Sequence, residues 1–295
     1  MKVLTLGSGF IADHLPYDKI TGRVLPSSDE VNALLKTAAV QFGGKPNVIV
    51  NCIGKTGRPN VDWCESHKFE TYESNVVIPL LISEWCKKND VHMVQIGSGC
   101  IYFGESPNVK WIQPQNVARA PAIEVDFGWK EDDFANPKSF YSKTKYACDL
   151  MLGQMPHVTT LRIRMPISDQ DTSRNLINKL RGYKQVIDIP NSVTFMSDLT
   201  RCVKWAADNR PGGIYHVANP EPLTAARVMK EFQKYVPDHK FEIINEQQLD
   251  QLTVAKRSNC ILSTEKLVRA GFRMTNSEYA LAICMTEYVK NMQGR

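Results

Sequence analysis

No stretch of this 295-residue chain approaches the roughly 18 consecutive apolar residues of a membrane span, and MKVLTLGSGFIA enters a strand-like pattern without a long apolar leader. A soluble, cytoplasmic protein with no membrane partner is therefore expected. Polybasic blocks are missing too: 36 Lys and Arg face 31 Asp and Glu, and no basic stripe is interleaved with aromatics. The formal charge of +5 speaks for solubility and small anionic ligands, and against a nucleic-acid surface. Cysteine occurs at 52, 64, 86, 100, 148, 202, 260 and 284, never as C-x-x-C, and the six histidines are isolated with no H-E-x-x-H. Those gaps speak against a disulfide framework and make a metal site unexpected. Internal repeats and low-complexity segments are also lacking. The length suffices for a large core without disulfides or metals, as one large domain or two unequal ones.

What is present is alternation. Short apolar runs bounded by Gly, Pro and Asn recur as KVLTLG, NVIVNCIG at 47–54, HMVQIGSG at 92–99 and VTTLRIRMP at 158–166, with longer helical patterns between them. Repeated strand-helix units of this kind predict an α/β fold, a doubly wound parallel sheet buried on both faces. SSDEVNALLKTAA opens with Ser27 and Glu30 at capping-box spacing, and ESNVVIPLLISEWCKKN ends in a basic turn before Asn89, so both read as helices. The Pro-, Asn- and charge-rich insert from about 104 to 137 reads as a long loop beside the site. Beyond Pro166, helical stretches at 171–183, 197–209, 224–235, 246–252 and 275–291 mix with short strands near 186–189, 214–218 and 241–244.

LGSGFIA places Gly7-x-Gly9-x-x-Ala12 directly after the first strand, where glycines let the chain turn tightly against a pyrophosphate. Gly7, Gly9, Phe10 and Ile11 are the candidate dinucleotide contacts of a Rossmann-like domain at 1–165, which takes a return excursion near 190–218. Residues 166–295 are expected to form a smaller α/β substrate lobe. Asp13, His14 and Pro16 leave room for little more than one turn of the first helix. Arg23 in TGR suits a 2'-phosphate and hence NADP, with an ordinary surface arginine as the equal alternative. Asp29 would mark a ribose hydroxyl and NAD, although its place in the helix cap explains it more simply.

SFYSKTKYACD, at 139–149, puts Tyr141 and Lys145 four residues apart, on one face of a helix. Taken alone the pair is more readily a solvated helix face, since the chain holds ten tyrosines and many lysines. Its neighbours change the weighting. Upstream, a strand ends in GSGCIYFG, so Ser98 stands where the carboxyl end of a strand meets the cofactor crevice. Glycine loop, strand-end Ser and Tyr-x-x-x-Lys in this order resemble the short-chain dehydrogenase/reductase superfamily, in its extended branch acting on nucleotide sugars. The resemblance implies that Tyr141 donates a proton, that Lys145 lowers the phenol's pKa and holds the nicotinamide ribose, and that Ser98 binds the substrate oxygen. A phenol, with an unperturbed pKa near about 10, is a poor acid-base group at neutral pH without such a cation.

GKTGRPNVDWCESHK at 54–68, GCIYF at 99–103, SFYSKTK at 139–145, LRIRMPIS at 161–168, IPNSVT at 189–194 and AKRSN at 255–259 together resemble the plant-type nucleotide-rhamnose synthases. The matches span nearly the whole chain, and the run at 54–68 is the specific one. The glycine loop departs from that family, with Leu6 at its first glycine position. By resemblance the chain would be a bifunctional 3,5-epimerase/4-keto-reductase converting UDP-4-keto-6-deoxy-D-glucose to UDP-L-rhamnose with NADPH, NADH and a dTDP sugar being the alternatives. Cys100 would carry one epimerisation proton and Lys179 in NLINKLRGY the other; their plain readings are a small buried hydrophobe and a surface lysine.

The remaining expectations follow from the same likeness. Asn51, Gly54 and Lys55 would line the adenosine and ribose side, and Pro166 and Ile167 the nicotinamide. Arg58 and Asn60 would meet the sugar, and Arg257 and Asn259 the diphosphate or hexose. Asn75 is placed with the substrate group, as a helix-face polar residue binding main chain near the site. Arg162 and Arg164, alternating with Leu161 and Ile163, are held unable to share a side and are given no role. Gly99 and Cys100 stand where dehydratases of this branch carry Asp-Glu, which speaks against dehydration. A reductase-only dTDP-4-keto-rhamnose reductase and a non-catalytic NADP-binding regulatory subunit are the rival readings. A separate 4,6-dehydratase would supply the substrate, and a homodimer is the ordinary expectation.

Overall fold

The computed structural model describes residues 1–22, 27–58, 60–108 and 128–294. Arg23 and most of the 104–137 insert lie outside the described residues. In chain order the strands are β1 (Val3–Leu6), β2 (Asp18–Ile20), β3 (Val48–Asn51), β4 (His92–Ser98), β5 (Val158–Ile163), β6 (Pro166–Ile167), β7 (Gln185–Ile187), β8 (Thr194–Phe195), β9 (Gly213–Val217) and β10 (Glu242–Ile244).

Six of them form one parallel sheet in the order β2-β1-β3-β4-β5-β9. Every residue of β1, β3, β4 and β5 is buried, which is why these strands read as near-continuous apolar runs. Alternate residues divide between two cores. Leu4, Leu6, Ile49 and Met93 pack with Leu35, Ile82 and Leu152 of helices Ser28–Gln41, Ile78–Lys88 and Phe140–Leu152. Val3, Val48, Val50, Val94 and Leu161 pack with Leu199, Val203 and Ala206 of helix Met196–Asn209. This is the doubly wound α/β fold that the alternation predicts. The strand order reverses between β1 and β3, so their carboxyl ends open the crevice where such a sheet takes its ligand.

β9 returns to the sheet beside β5, while Ile167, Phe195, Phe232, Leu281 and Tyr288 belong to a second core shared with the short pairs β6–β8 and β7–β10. The first helix spans only Phe10–Asp13, and the Ser27 hydroxyl accepts from the Glu30 amide at 3.2 Å, both as expected. The helix read as starting at Glu73 begins instead with a π turn over Glu73–Val77. Pro79 has no N–H to offer the Asn75 carbonyl, and the wider turn leading up to it holds Asn75 fully buried.

Arg162 and Arg164, given no role from the sequence, are both buried and each holds its own set of partners. Arg162, 2% exposed, donates from Nε to Asp149 Oδ2 at 2.8 Å and from Nη1 to the Tyr102 hydroxyl at 2.7 Å. Tyr102 closes the short helical turn Gly99–Ile101 that carries Cys100. Asp149→Ala would leave this guanidinium buried without its carboxylate. A stability loss of about 3–5 kcal/mol is expected in urea denaturation, with an unchanged midpoint contradicting the assignment.

Candidate active site

Gly7 and Gly9 have φ of 110° and 112°, a conformation that glycine alone adopts without strain. A Cβ at Gly7 would lie 3.1 Å from both the Cys52 carbonyl carbon and the Ile53 nitrogen, while the Gly7 amide bonds the Ile20 carbonyl at 2.9 Å. The chain thus threads between the ends of β2 and β3, leaving a cradle that fits the pyrophosphate of a dinucleotide. Phe10 and Ile11 follow, half-buried against the sheet. Gly54 and Lys55 are exposed beyond β3, and a Cβ at Gly54 would lie 3.6 Å from Lys145 Nζ. Two cofactor expectations are corrected. Asn51 is fully buried, donating to Gln95 Oε1 at 2.8 Å and accepting from the Ile53 amide at 3.1 Å, so it shapes the crevice from behind. Ile167 is 0% exposed in the second core and offers a nicotinamide no surface, whereas Pro166 is half-buried.

Helix Phe140–Leu152 starts at Ser139, whose hydroxyl accepts from the Ser142 amide at 3.1 Å. That cap sets Tyr141 and Lys145 on the helix face turned toward the end of β4. Both retain a sliver of exposed surface, 7% and 6%. Ser98, the last residue of β4, accepts from the Cys100 amide at 3.2 Å and lies close enough to the Tyr141 phenol to influence its ionisation. The Ser142 hydroxyl donates to the Cys100 carbonyl at 2.7 Å, tying helix and turn together, and the Cys100 side chain is half-buried rather than sealed in the core. Ser98, Cys100, Tyr141 and Lys145 are thereby gathered at one strand end.

Burial, foremost, pushes the Tyr141 phenol up; Cys100 adds to the rise and Ser98 opposes it. The Lys145 ammonium donates to the Ile96 carbonyl at 3.1 Å. A phenol held protonated in this way is in the form a proton donor needs. Lys179 is half-buried on helix Leu176–Arg181; burial draws its amine down, Arg174 does the same, and Cys100 opposes, so the amine lies within electrostatic reach of the thiol.

Two arginines escaped the sequence reading. Arg174 donates to Thr56 Oγ1 at 3.1 Å and to the Gly57 carbonyl at 2.9 Å, joining the segment before helix Leu176–Arg181 to the loop after β3 beside the exposed Arg58. Arg164 donates from Nη1 to Cys100 Sγ at 3.0 Å. The only hint of the latter was a second arginine in LRIRMP.

The specific run at 54–68 works largely as a clasp. Glu65 Oε1 accepts from the Phe140 amide at 2.7 Å, supporting the first turn of the helix that bears Tyr141. Asp62 receives both Nη groups of Arg257, at 2.8 and 2.9 Å. Trp63 stacks on His67 with centroids 3.8 Å apart and lies 5.6 Å from the Lys55 ammonium. Asn60 Oδ1 accepts from the Asp62 amide at 2.8 Å. These contacts recast three expected substrate ligands as supports. The Arg257 fork is engaged by Asp62, and the Asn259 amide is shared between Glu246 and Asn191. Asn75, fully buried, holds the Lys55 main chain through bonds of 2.8 and 3.0 Å and also donates to Thr144.

Burial pushes the Asp62 carboxyl up, but hydrogen bonds from Arg257 and the Ala255 amide outweigh it and hold the group below the usual carboxylate range. A carboxyl depressed on folding stabilises the protein above its unfolded value, and that stabilisation is lost as pH falls through the folded one. Asp62→Asn is therefore expected to lose about 0.5–1 kcal/mol at pH 7, a small figure because the pair is partly solvated. In urea denaturation the gap between the two proteins should close as pH falls through the depressed range of the folded carboxyl; a gap that persists in acid would contradict the clasp.

A cavity of about 1000 Å³ lies between Ile189, Asn219, Leu262 and Phe272, and none of Ser98, Cys100, Tyr141 or Lys145 lines it. Among the described residues no group of three or more His, Cys, Asp or Glu is arranged to hold a metal, and no helix is long and apolar enough to cross a membrane.

Known proteins resemble this chain in sequence and in fold. A bifunctional dTDP-4-dehydrorhamnose 3,5-epimerase/dTDP-4-dehydrorhamnose reductase of Arabidopsis thaliana is 35% identical over 226 residues, 76% of this chain and 71% of that protein. The trifunctional UDP-glucose 4,6-dehydratase/UDP-4-keto-6-deoxy-D-glucose 3,5-epimerase/UDP-4-keto-L-rhamnose-reductase RHM3 of the same plant is 34% identical over 86% of this chain, which spans only 36% of its length. In fold, the L780 UDP-rhamnose synthase of Acanthamoeba polyphaga mimivirus superposes with a TM-score of 0.80 at 23% identity, over 97% of this chain and 99% of that one. The dTDP-4-dehydrorhamnose reductase of Bacillus anthracis, solved in complex with NADP, superposes with a TM-score of 0.75 at 18% identity over 97% and 99%. Residues 24–290 match the RmlD substrate binding domain, and with a relative 35% identical over most of its own length the chain belongs to that family.

Proposed function

We propose that this protein is an NADPH-dependent bifunctional enzyme that epimerises UDP-4-keto-6-deoxy-D-glucose at C3 and C5 and reduces the C4 ketone, giving UDP-L-rhamnose. The observation that carries the reading is the Cys100 thiol, half-buried beside Ser98 and Tyr141 and within electrostatic reach of Lys179. A plain reductase has no use for a thiol there.

The C4 ketone acidifies the hydrogens on C3 and C5, so epimerisation needs a base, an acid on the other face and a partner for the enolate oxygen. Cys100 Sγ takes the proton as the C–H bond breaks, and the electron pair passes to the C4 oxygen. Ser98 and Tyr141 donate hydrogen bonds to that oxygen. Lys179, as its ammonium, returns a proton to the carbon from the opposite face, and the ketone re-forms with the configuration inverted. Gly7, Gly9, Phe10, Ile11, Gly54, Lys55 and Lys145 would hold the dinucleotide, at the turn where Gly7 packs against the Cys52 backbone and a Cβ at Gly9 would meet only open space. NADPH, when bound, supplies the hydride that reduces C4. Tyr141 then gives its phenolic proton to the C4 oxygen, completing the hydroxyl. Arg58 and Arg174 would meet the diphosphate and sugar from the loop after β3. A 4,6-dehydratase reaction supplies the 4-keto sugar, as in the names of the trifunctional relatives.

Purified protein given UDP-4-keto-6-deoxy-glucose and NADPH is expected to form UDP-L-rhamnose. A product reduced at C4 with C3 and C5 unchanged would establish the reductase-only reading, and no consumption of NADPH would leave the binding subunit.

A further inference from the structure

Arg164 is 4% exposed, just past β5, and its guanidinium sits deep beneath the crevice. Nη1 donates to Cys100 Sγ at 3.0 Å, and Nη2 donates to Asn191 Oδ1 at 2.6 Å and to the Ser258 carbonyl. Its own amide donates to Thr194 Oγ1 at 2.9 Å, which fixes the residue's direction. Among the described residues no carboxylate pairs with it, in contrast to Arg162, which has Asp149. A buried cation ordinarily has an anion within reach. The groups here that can supply one are two thiols, Cys100 and Cys260. Cys260 is 2% exposed, burial pushes its thiol up and outweighs the opposing pull of Arg164 and Ser258, and it donates to the Gly99 carbonyl at 3.4 Å, so it stays neutral. Cys100 is the one open to a ligand.

We infer that Arg164 is a positioning residue that holds the Cys100 sulfur as a hydrogen-bonded thiolate aimed into the crevice, ready for the epimerisation proposed above, and that it takes no part in reduction at C4. The inference rests on that reading for its purpose but not for its chemistry. A guanidinium donating to sulfur favours the anion, and the anion is the form that can accept a proton from carbon. When the sulfur takes that proton the guanidinium keeps its own charge and its bonds to Asn191 and Ser258, so the thiol stays where it was. Asn191 in turn accepts from the Cys260 amide at 3.1 Å, which braces the arginine.

The test is the rate at which iodoacetamide alkylates Cys100 at pH 7, read on its own peptide by mass spectrometry, in wild type, Arg164→Met and Arg164→Lys. Arg164→Met is expected to slow alkylation about tenfold or more, with Arg164→Lys recovering most of the loss. In the same proteins, exchange of solvent deuterium into C3 and C5 should fall about 100-fold in Arg164→Met, while NADPH oxidation on UDP-4-keto-L-rhamnose stays within about threefold. Equal alkylation in wild type and Arg164→Met overturns the inference. Slowed alkylation without any exchange in the wild type upholds the pairing and defeats the epimerase reading instead. Because Arg164→Met removes a buried group and can fail to fold, a second measurement decides independently: thiolate absorbance in the far ultraviolet at pH 7 should be lower in Cys100→Ser than in wild type. No difference between those two proteins would overturn the inference.

Discussion

Cys100→Ser is expected to lower the exchange of solvent deuterium into C3 and C5 of the 4-keto sugar by about 10²–10⁴-fold, the usual contribution of a positioned proton carrier. A serine hydroxyl is nearly the size of the thiol, so the turn at Gly99–Ile101, the Ser98 contact and the Ser142 contact all persist. What is lost is a sulfur, which accepts and releases a proton far more readily than a hydroxyl oxygen does. Because the ketone's own chemistry is untouched, a sugar already in the L-rhamno configuration should still be reduced within about threefold of the wild-type rate. Loss of both activities together would mean that the thiol supports the fold or the cofactor rather than the proton transfer.

Tyr141→Phe is the complementary case. Burial holds the phenol protonated, with Ser98 opposing. Removing the hydroxyl deletes the donor to the C4 oxygen while leaving a ring that fills the same space. NADPH oxidation is expected to fall by about 10²–10⁴-fold, with NADPH affinity within about threefold because the glycine cradle is untouched. Exchange at C3 and C5 should fall by a smaller factor, since Ser98 still donates to the enolate oxygen. The two variants therefore split the reaction in opposite proportions, and a regulatory subunit would respond to neither.

Much of the scaffold is legible in the sequence because it rests on local period. Continuous apolar runs such as VIVN mark strands buried on both faces, and Gly7-x-Gly9 sits at the first turn because its φ values exclude a side chain. The short first helix follows from Asp13, His14 and Pro16, and is found at Phe10–Asp13. The sequence reading failed where a side chain's partner is set by tertiary contact. Arg164 meets Cys100 across 64 positions and Arg257 meets Asp62 across 195, distances that no local pattern encodes. Asn51 and Ile167 have the polar and apolar character of ligand contacts but fall on buried faces, and the sequence does not say which way a strand end points. Asn75 was rightly placed against main chain, yet its fully spent amide could only be seen once Lys55 and Thr144 were beside it. The two-residue pair β6–β8 is too short to leave any period at all.

The account turns on whether one crevice moves carbon-bound hydrogen as well as reducing a ketone. Wild-type protein incubated with UDP-4-keto-6-deoxy-glucose in deuterium oxide, with NADPH added to complete turnover, should yield a rhamnose carrying solvent deuterium at both C3 and C5 by mass spectrometry and proton NMR. A reduced sugar with hydrogen retained at both carbons would contradict it.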